Sequence, residues 1–144
     1  ALGTVEEVNA AMLREAGDVI ITHQQVSAPS VRGDVATSIT ELLSVPAGPE
    51  ALVVKRGEKG ATIHLRSGES IDAPGFPVEV TNVLGAGDAF AAGFIYGRTK
   101  GWDWRASARL GNACGAIVVT RHGCANFMAT LDEAMAVADA QGGL

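Results

Sequence analysis

Cysteine is scarce in this chain, which has only Cys114 and Cys124 among its 144 residues. A disulfide-stapled secreted protein of this size normally carries more, so we expect reduced thiols and a cytoplasmic location. A zinc site would need partner ligands at regular spacing, but the histidines, His23, His64 and His122, are scattered. The composition therefore favours neither a disulfide framework nor a structural metal site.

Charged residues make up only 19% of the chain, and the formal net charge is −5. A general nucleic-acid binder would show a basic stripe, which this mild acidic excess does not supply. No stretch approaches the roughly 20 apolar residues of a membrane-spanning helix, and the first residues lack the basic leader and apolar run of a signal peptide. We therefore expect neither a nucleic-acid partner nor a membrane partner.

Hydrophobic spacing predicts strands that alternate with helices. Helices are expected over residues 4–16, 35–44, 88–98, 104–120 and 130–140. Strands are expected over residues 18–22, 51–55, 61–65, 70–72 and 78–80. This alternation indicates an α/β layered domain with a mainly parallel sheet, and the length and the 47% of hydrophobic residues fit one domain over residues 1–144.

The segment Gly85-Ala86-Gly87-Asp88 carries the clearest chemical signal. Small residues at the start of a helix leave consecutive backbone N–H groups free to bind one anion, and the helix dipole favours negative charge there. Asp88 is either an ordinary first-turn carboxylate or the base that accepts a hydroxyl proton during phosphoryl transfer. A dehydrogenase is disfavoured because Phe90 breaks the dinucleotide fingerprint, and no Gly-Lys-Ser/Thr completes a P-loop.

With Ala89-Phe90, this segment resembles the second signature of the ribokinase-like (phosphofructokinase-B type) carbohydrate kinases. Residues 53–60 resemble the family's strand and glycine loop for the nucleotide, and residues 112–124 resemble its helix and following loop. Details at 55–57, 74–80, 82–88, 112–115 and 121–124 are similar to one branch, the 5-dehydro-2-deoxygluconokinases of inositol breakdown. The resemblance implies a Rossmann-type layered sheet with flanking helices, of which only the C-terminal half is represented, without the N-terminal part and lid.

The resemblance also implies a role for each matched position. Asp88 is implied as the catalytic base, and Gly85, Ala86 and Gly87 as the amide cradle of the transferred phosphoryl group. Mutation of such a base costs roughly 10²–10⁴-fold in rate.

Four further positions are implied contacts of the nucleotide. Lys55 corresponds to a position near the phosphates, although it can also be read as a solvated strand end. Gly57 and Gly60 let the backbone approach the nucleotide. Asn112 corresponds to a position beside the adenine or ribose, although an asparagine in an alanine-rich helix is more often a packing or solvent-facing residue.

Backbone carbonyls of this family also hold a monovalent cation such as K⁺. The matching positions are Asn82, Leu84, Val118, Arg121 and Gly123.

The chain departs from the family pattern at two motifs. Asn82-Val83 stands where the family usually has Asp-Thr. Gln25, in Thr22-His23-Gln24-Gln25, stands where the family has the glutamate of an Asn-x-x-Glu motif tied to magnesium and phosphate. Because glutamine carries no carboxylate charge, we expect weakened magnesium dependence or lost activity.

The expected function is ATP- and Mg²⁺-dependent phosphorylation of a hydroxyl group on a sugar or keto-sugar acid, with 5-dehydro-2-deoxygluconate preferred. This chain would supply the ATP site and the base, and a full-length parent would supply most of the sugar site. The alternative is a truncated nucleotide-binding or structural remnant without catalysis.

Half of such a sheet would expose a strand edge, and exposed edges pair with other chains. We therefore expect the purified chain to form a homo-oligomer, measured by light scattering over a concentration series. A strictly monomeric profile at high concentration would contradict this expectation.

Overall fold

The computed structural model describes residues 19–23, 35–123 and 125–144. The helix expected over 4–16 and position Gln25 lie outside the described residues. The strands are β1 (Val19–His23), β2 (Ala51–Lys55), β3 (Ala61–Leu65) and β4 (Ser70–Ala73). The helices are α1 (Val35–Ser44), α2 (Ala86–Thr99), α3 (Trp104–Val119) and α4 (Leu131–Ala140).

These bounds confirm the expected elements of the described ranges to within two residues, with one exception. The strand expected over 78–80 is wrong, because residues 74–80 adopt no regular structure and Val78 and Val80 are exposed. Pro74 and Pro77 each lack a backbone donor, which disfavours a sheet ladder at this point. In the part of the chain that the structure describes, no helix is both long and apolar enough to cross a membrane.

The four described strands follow the order β1-β2-β3-β4 in one sheet. Two of the strand pairs, β2–β3 and β3–β4, depart from the expected mainly parallel sheet. Arg56 N donates to Gly60 O at one end of the β2–β3 pair, and Arg66 N donates to Glu50 O at the other. This pattern is antiparallel, and the turn after β3, where Leu65 N donates to Glu69 O, makes β4 antiparallel as well. Connections of this length are too short for a parallel crossover.

The chain divides into two compact units. One consists of the described residues up to Val54 together with Ile63–Ser70. Its core joins α1 to β2 through Leu43, Leu52 and Val54. Arg66 supports the turn before β2, since its guanidinium donates to the carbonyls of Val45 and Pro49.

The second unit consists of Lys55–Thr62 and Ile71–Leu144, and its centre is the contact between α2 and α3. A Cβ built on Gly93 of α2 would lie 2.8 Å from Cys114 Sγ and 3.0 Å from Gly111 Cα. The two helices therefore approach each other as closely as glycine allows. Burial raises the pKa of Cys114, so its thiol is protonated at neutral pH.

Helix α4 packs on the other side of the same core. Ala134 and Ala138 of α4 are fully buried with Leu110 and Ile117 of α3. The first turn of α4 is closed by a capping box in which Thr130 Oγ1 accepts from Glu133 N and the Glu133 carboxylate accepts from Thr130 N. The hydrogen bond from Thr130 N to the Glu133 carboxylate, together with side-chain bonds from Arg121 and Thr130, lowers the pKa of Glu133.

We predict that Thr130→Ala lowers the free energy of unfolding by about 1 kcal/mol, because an orphan amide of α4 loses its acceptor. Thr99→Ala is the matched control, since the Thr99 hydroxyl donates to a carbonyl at the last turn of α2 and caps no amide. Urea denaturation of both variants measures the difference. Equal losses in the two variants would contradict the assigned role of the cap.

Candidate active site

The first turn of α2 is an open helix N-terminus. Its N-cap is Gly85, which adopts φ 85° and makes no side-chain capping bond. The first N–H groups of any helix lack partners within the helix, and here no side chain of the N-cap takes them. Ala86, Gly87 and Asp88 therefore begin a helix whose amides and dipole favour an anion.

The turn before α2 is fixed by main-chain bonds. Asn82 Oδ1 accepts from Leu84 N at 3.0 Å, and Ala86 N donates to Val83 O at 3.3 Å. An aspartate would make the same turn through one of its carboxylate oxygens, because Asn and Asp both form this type of turn. The replacement of the family's aspartate by Asn82 is therefore compatible with the observed backbone.

Lys55, the last residue of β2, reaches this helix start. A Cβ built on Gly87 would lie 2.9 Å from Lys55 Nζ, so the ammonium group lies directly against the backbone of Gly87. Asp88, the next residue, is exposed. The structure thus brings together the uncapped amides, one ammonium group and one carboxylate, three groups that the sequence places in two distant segments.

The glycine loop follows Lys55. Residues Gly57–Lys59 form one short 3-10 turn, and Gly60 closes it with φ 86° and ψ −133°, a conformation essentially restricted to glycine. Gly57 has φ 61°, and a Cβ there would meet nothing within 4 Å. The backbone at Gly57 is therefore open on the side where a β-carbon would lie, and its contact with a nucleotide stays a prediction. At Gly60 a Cβ would lie 2.2 Å from Ala73 O, so this glycine is needed for packing, and its contact with a nucleotide stays a prediction.

Asn112 is buried within α3 and is 8% exposed. Its Nδ2 donates to Ala73 O at 2.9 Å and to Pro74 O at 3.1 Å. The structure therefore places Asn112 under the segment that supports the glycine loop. Its contact with adenine or ribose stays a prediction.

The five carbonyl positions expected for a monovalent cation lie on two segments that main-chain bonds join. Thr81 N and Asn82 N both donate to Val119 O, at 2.7 and 3.0 Å. This places the turn before α2 at the C-terminus of α3, where the helix dipole favours a cation. Val118 O already accepts from Arg121 N at 3.1 Å. The two segments that carry the predicted carbonyl groups therefore lie next to each other, and ion binding stays a prediction.

The sequence did not single out Arg109, although it is the most buried arginine among the described residues, at 6% exposed. Its guanidinium donates to the carbonyls of Pro74, Gln141 and Gly143. Arginines in helices are usually exposed, so composition gave no signal. The spacing of Arg105, Arg109 and Asn112 on one helical face was the available clue.

Comparison with known proteins identifies the family. Residues 16–131 match the pfkB family of carbohydrate kinases. The 5-dehydro-2-deoxygluconokinases of Geobacillus thermodenitrificans and Shouchella clausii are each 38% identical to this chain, over 82 and 93 residues. These alignments cover 57% and 65% of this chain but only 24% and 28% of the two relatives. The chain therefore spans about a quarter of the length of the curated relatives it matches.

A solved structure confirms the expected ribokinase-like α/β fold. A candidate ribokinase II from E. coli, in complex with ATP and Mg²⁺, superposes with a TM-score of 0.80 at 27% identity. The superposition covers 94% of this chain and 43% of the E. coli chain.

We predict that Gly60→Ala destabilises the chain by about 3 kcal/mol or more, because it combines a backbone conformation rare for alanine with a collision at Ala73 O. Gly57→Ala is the control. It has open space around the new methyl group, so it should cost only about 1–2 kcal/mol. Thermal unfolding compares the two, and similar losses would contradict the packing assigned to Gly60.

Proposed function

Because the chain belongs to the pfkB family of carbohydrate kinases, we propose that it supplies the ATP site and the catalytic base for phosphorylation of a sugar or keto-sugar acid. The observation that carries this proposal is the start of α2, where uncapped amides, Lys55 and Asp88 lie together. We propose 5-dehydro-2-deoxygluconate as the acceptor, on the strength of the two relatives that are kinases named for that substrate.

In the proposed reaction each group acts at one place. The Asp88 carboxylate accepts the proton of the attacking hydroxyl group, and its exposure leaves it accessible to a substrate. The amides of Gly85, Ala86 and Gly87 donate to the oxygens of the transferred phosphoryl group, where negative charge is concentrated. The Ala86 amide does so in exchange for its 3.3 Å bond to Val83 O. Lys55 adds a point charge at the same oxygens.

Magnesium fits this site as a companion of the nucleotide. When bound, Mg²⁺ neutralises the charge on the β- and γ-phosphate oxygens. Among residues 19–23, 35–123 and 125–144, no three histidine, cysteine or acidic side chains converge to make a metal site. Because Mg²⁺ commonly enters such sites with the nucleotide phosphates as ligands, it would be held here chiefly by those phosphates, and Asp88 would stay free to act as the base. Position Gln25 lies outside the described residues.

A monovalent cation is proposed at the C-terminus of α3. The carbonyls of Asn82, Leu84, Val118, Arg121 and Gly123 are the proposed ligands, and the main-chain bonds from Thr81 and Asn82 to Val119 O support this assignment. A cation held there would stabilise the turn that precedes the amide cradle. K⁺ is the proposed occupant.

The second candidate function is nucleotide binding without catalysis. This candidate is favoured by the coverage of the superposition, which includes only 43% of the E. coli chain. If the remaining share provides the sugar site, this chain alone would bind ATP without turnover. Binding and turnover must therefore be measured separately.

We predict that Mg²⁺-ATP binds the purified chain with micromolar affinity and that Gly87→Val abolishes the binding. Any β-carbon at Gly87 meets Lys55 Nζ, and the branched side chain of valine would fill the space in front of the amides. Asp88→Asn should leave the affinity nearly unchanged, because the base acts on the acceptor. In the full-length kinase, Asp88→Asn should lower kcat by about 10²–10⁴-fold.

Ala92→Val is the matched control for Gly87→Val, since it adds a side chain to the same helix at an exposed position. Calorimetric titration measures all four proteins. Wild-type binding that survives Gly87→Val would place the nucleotide elsewhere. The absence of binding at millimolar ATP would overturn the proposed function.

A further inference from the structure

Segment 72–74, which consists of the last two residues of β4 and Pro74, is attached to α3 by three side chains of one helical face. Arg105 Nη1 donates to Asp72 O at 2.8 Å, and Arg109 Nη1 donates to Pro74 O at 2.9 Å. Asn112 adds bonds to the carbonyls of Ala73 and Pro74. Positions 105, 109 and 112 follow one another at helical spacing, so the side chains form a row above the segment.

The other side of this segment touches the glycine loop. A Cβ on Gly60 would collide with Ala73 O, and a Cβ on Gly75 would lie 2.4 Å from Glu58 O and 3.0 Å from Gly60 N. The two backbones are therefore in direct contact, without intervening side chains. Any shift of residues 73–75 must move the loop at 57–60.

Arg109 links the same segment to the end of the chain. Its Nε and Nη2 donate to Gly143 O at 3.0 and 2.6 Å, and Nη2 also donates to Gln141 O at 3.1 Å. The guanidinium also lies 4.0 Å from the centre of the Phe76 ring, in a cation–π contact. Burial lowers the pKa of Arg109, with a contribution from Arg105, yet an arginine remains charged in proteins.

The Arg109 side chain is charged and only 6% exposed, and its hydrogen bonds to backbone carbonyls fix its position. The planar fork of the guanidinium reaches three carbonyl groups from three separate nitrogens, whereas the ammonium group of lysine donates from a single nitrogen. If position 109 only had to fill space beside the helix, an apolar residue of similar volume would be sufficient. The chain instead has the one side chain that can join the C-terminal residues and segment 73–75.

We propose that Arg109 is a positioning residue for the nucleotide loop at 57–60, and that it transmits the docking of residues 141–143 to that loop through segment 73–75. The proposal rests on the proposed function for the loop's role as a nucleotide contact. The mechanical coupling itself stands on the contacts alone. We therefore expect that detaching residues 141–143 from Arg109 weakens ATP binding, although segment 73–75 lies between these residues and the nucleotide loop.

The first test is hydrogen exchange of the loop amides in the full chain, measured by NMR. Arg56 N donates to Gly60 O and Gly60 N donates to Gly57 O, so both amides report loop geometry. Arg109→Lys keeps the charge and the buried stem but loses the fork. We expect about 2- to 30-fold faster exchange at these amides. Unchanged exchange would overturn the proposal.

Arg98→Lys is the matched control. Arg98 likewise lies over an aromatic ring, that of Trp104 at 3.7 Å, and donates to a carbonyl, that of Trp102 at 2.6 Å. It holds the turn between α2 and α3 and does not contact segment 73–75 through these bonds. A comparable loss of thermal stability without faster exchange at Arg56 and Gly60 is the expected result. Equal exchange effects in both variants would show general loosening and would overturn the proposal.

A second variant, deletion of residues 141–144, removes two of the carbonyl partners and leaves α3 intact. It should speed exchange at the same loop amides as Arg109→Lys does, and combining the two changes should add little because they break the same link. If the two changes have additive effects on amide exchange, they act independently, and the proposed coupling from residues 141–143 through Arg109 to the loop is wrong.

Mg²⁺-ATP titration separates this inference from the proposed function. We expect Arg109→Lys and the deletion each to weaken ATP binding about 2- to 30-fold, with Arg98→Lys at the wild-type value. If wild-type chain binds no ATP, the proposed function fails while the exchange result still decides the coupling. If ATP binds and only the exchange rates fail to change, the coupling fails and the function stands.

Discussion

The close contact of α2 with α3 is the constraint on which the candidate site depends. Gly93 meets Gly111 and Gly97 meets Ser107 at distances that leave no room for another carbon atom. These pairs run in opposite directions along the two helices, so the start of α2 lies beside the last turns of α3, with Ala86 O close to Gly115. A larger residue at either glycine of the first pair would separate the helices and displace the amide cradle from the end of α3.

This arrangement puts two opposite helix ends at the two ends of one short turn. The start of α2 carries partial positive charge and the end of α3 partial negative charge. The turn from Asn82 to Gly85 connects them, tied to Val119 O at one end and to the helix start at the other. An anion site and a cation site can therefore share one rigid backbone segment. The turn that Asn82 Oδ1 closes is one that aspartate also makes, so Asn82 in place of the family's aspartate is compatible with this backbone.

The sequence predicted the features that depend on local pattern. Helices and strands followed from hydrophobic spacing, and the glycine turn at Gly85 followed from the absence of bulky side chains at a helix start. The strand at 78–80 was wrong because the two prolines nearby outweigh the alternating valines. The role of Arg109 could not be predicted, because its carbonyl partners lie about 35 residues away and carbonyls are present at every position. The antiparallel pairing of β2 with β3 and of β3 with β4 was missed for a similar reason, since periodicity does not give strand direction.

An acid at a helix start that is proposed to bind phosphate needs a compensating positive charge, and Lys55 is placed to supply it. Asp88 lies in the first turn of α2, where the helix dipole stabilises its negative charge but where bound phosphate would repel it. Lys55 Nζ lies one residue away, against Gly87, and brings a full positive charge to the same turn. The pair brings the local charge near neutral, so the amides and the helix dipole would supply the net attraction for an anion in the proposed site. Gly87 is essential to this balance, because the absence of its side chain is what lets the ammonium group reach the cradle.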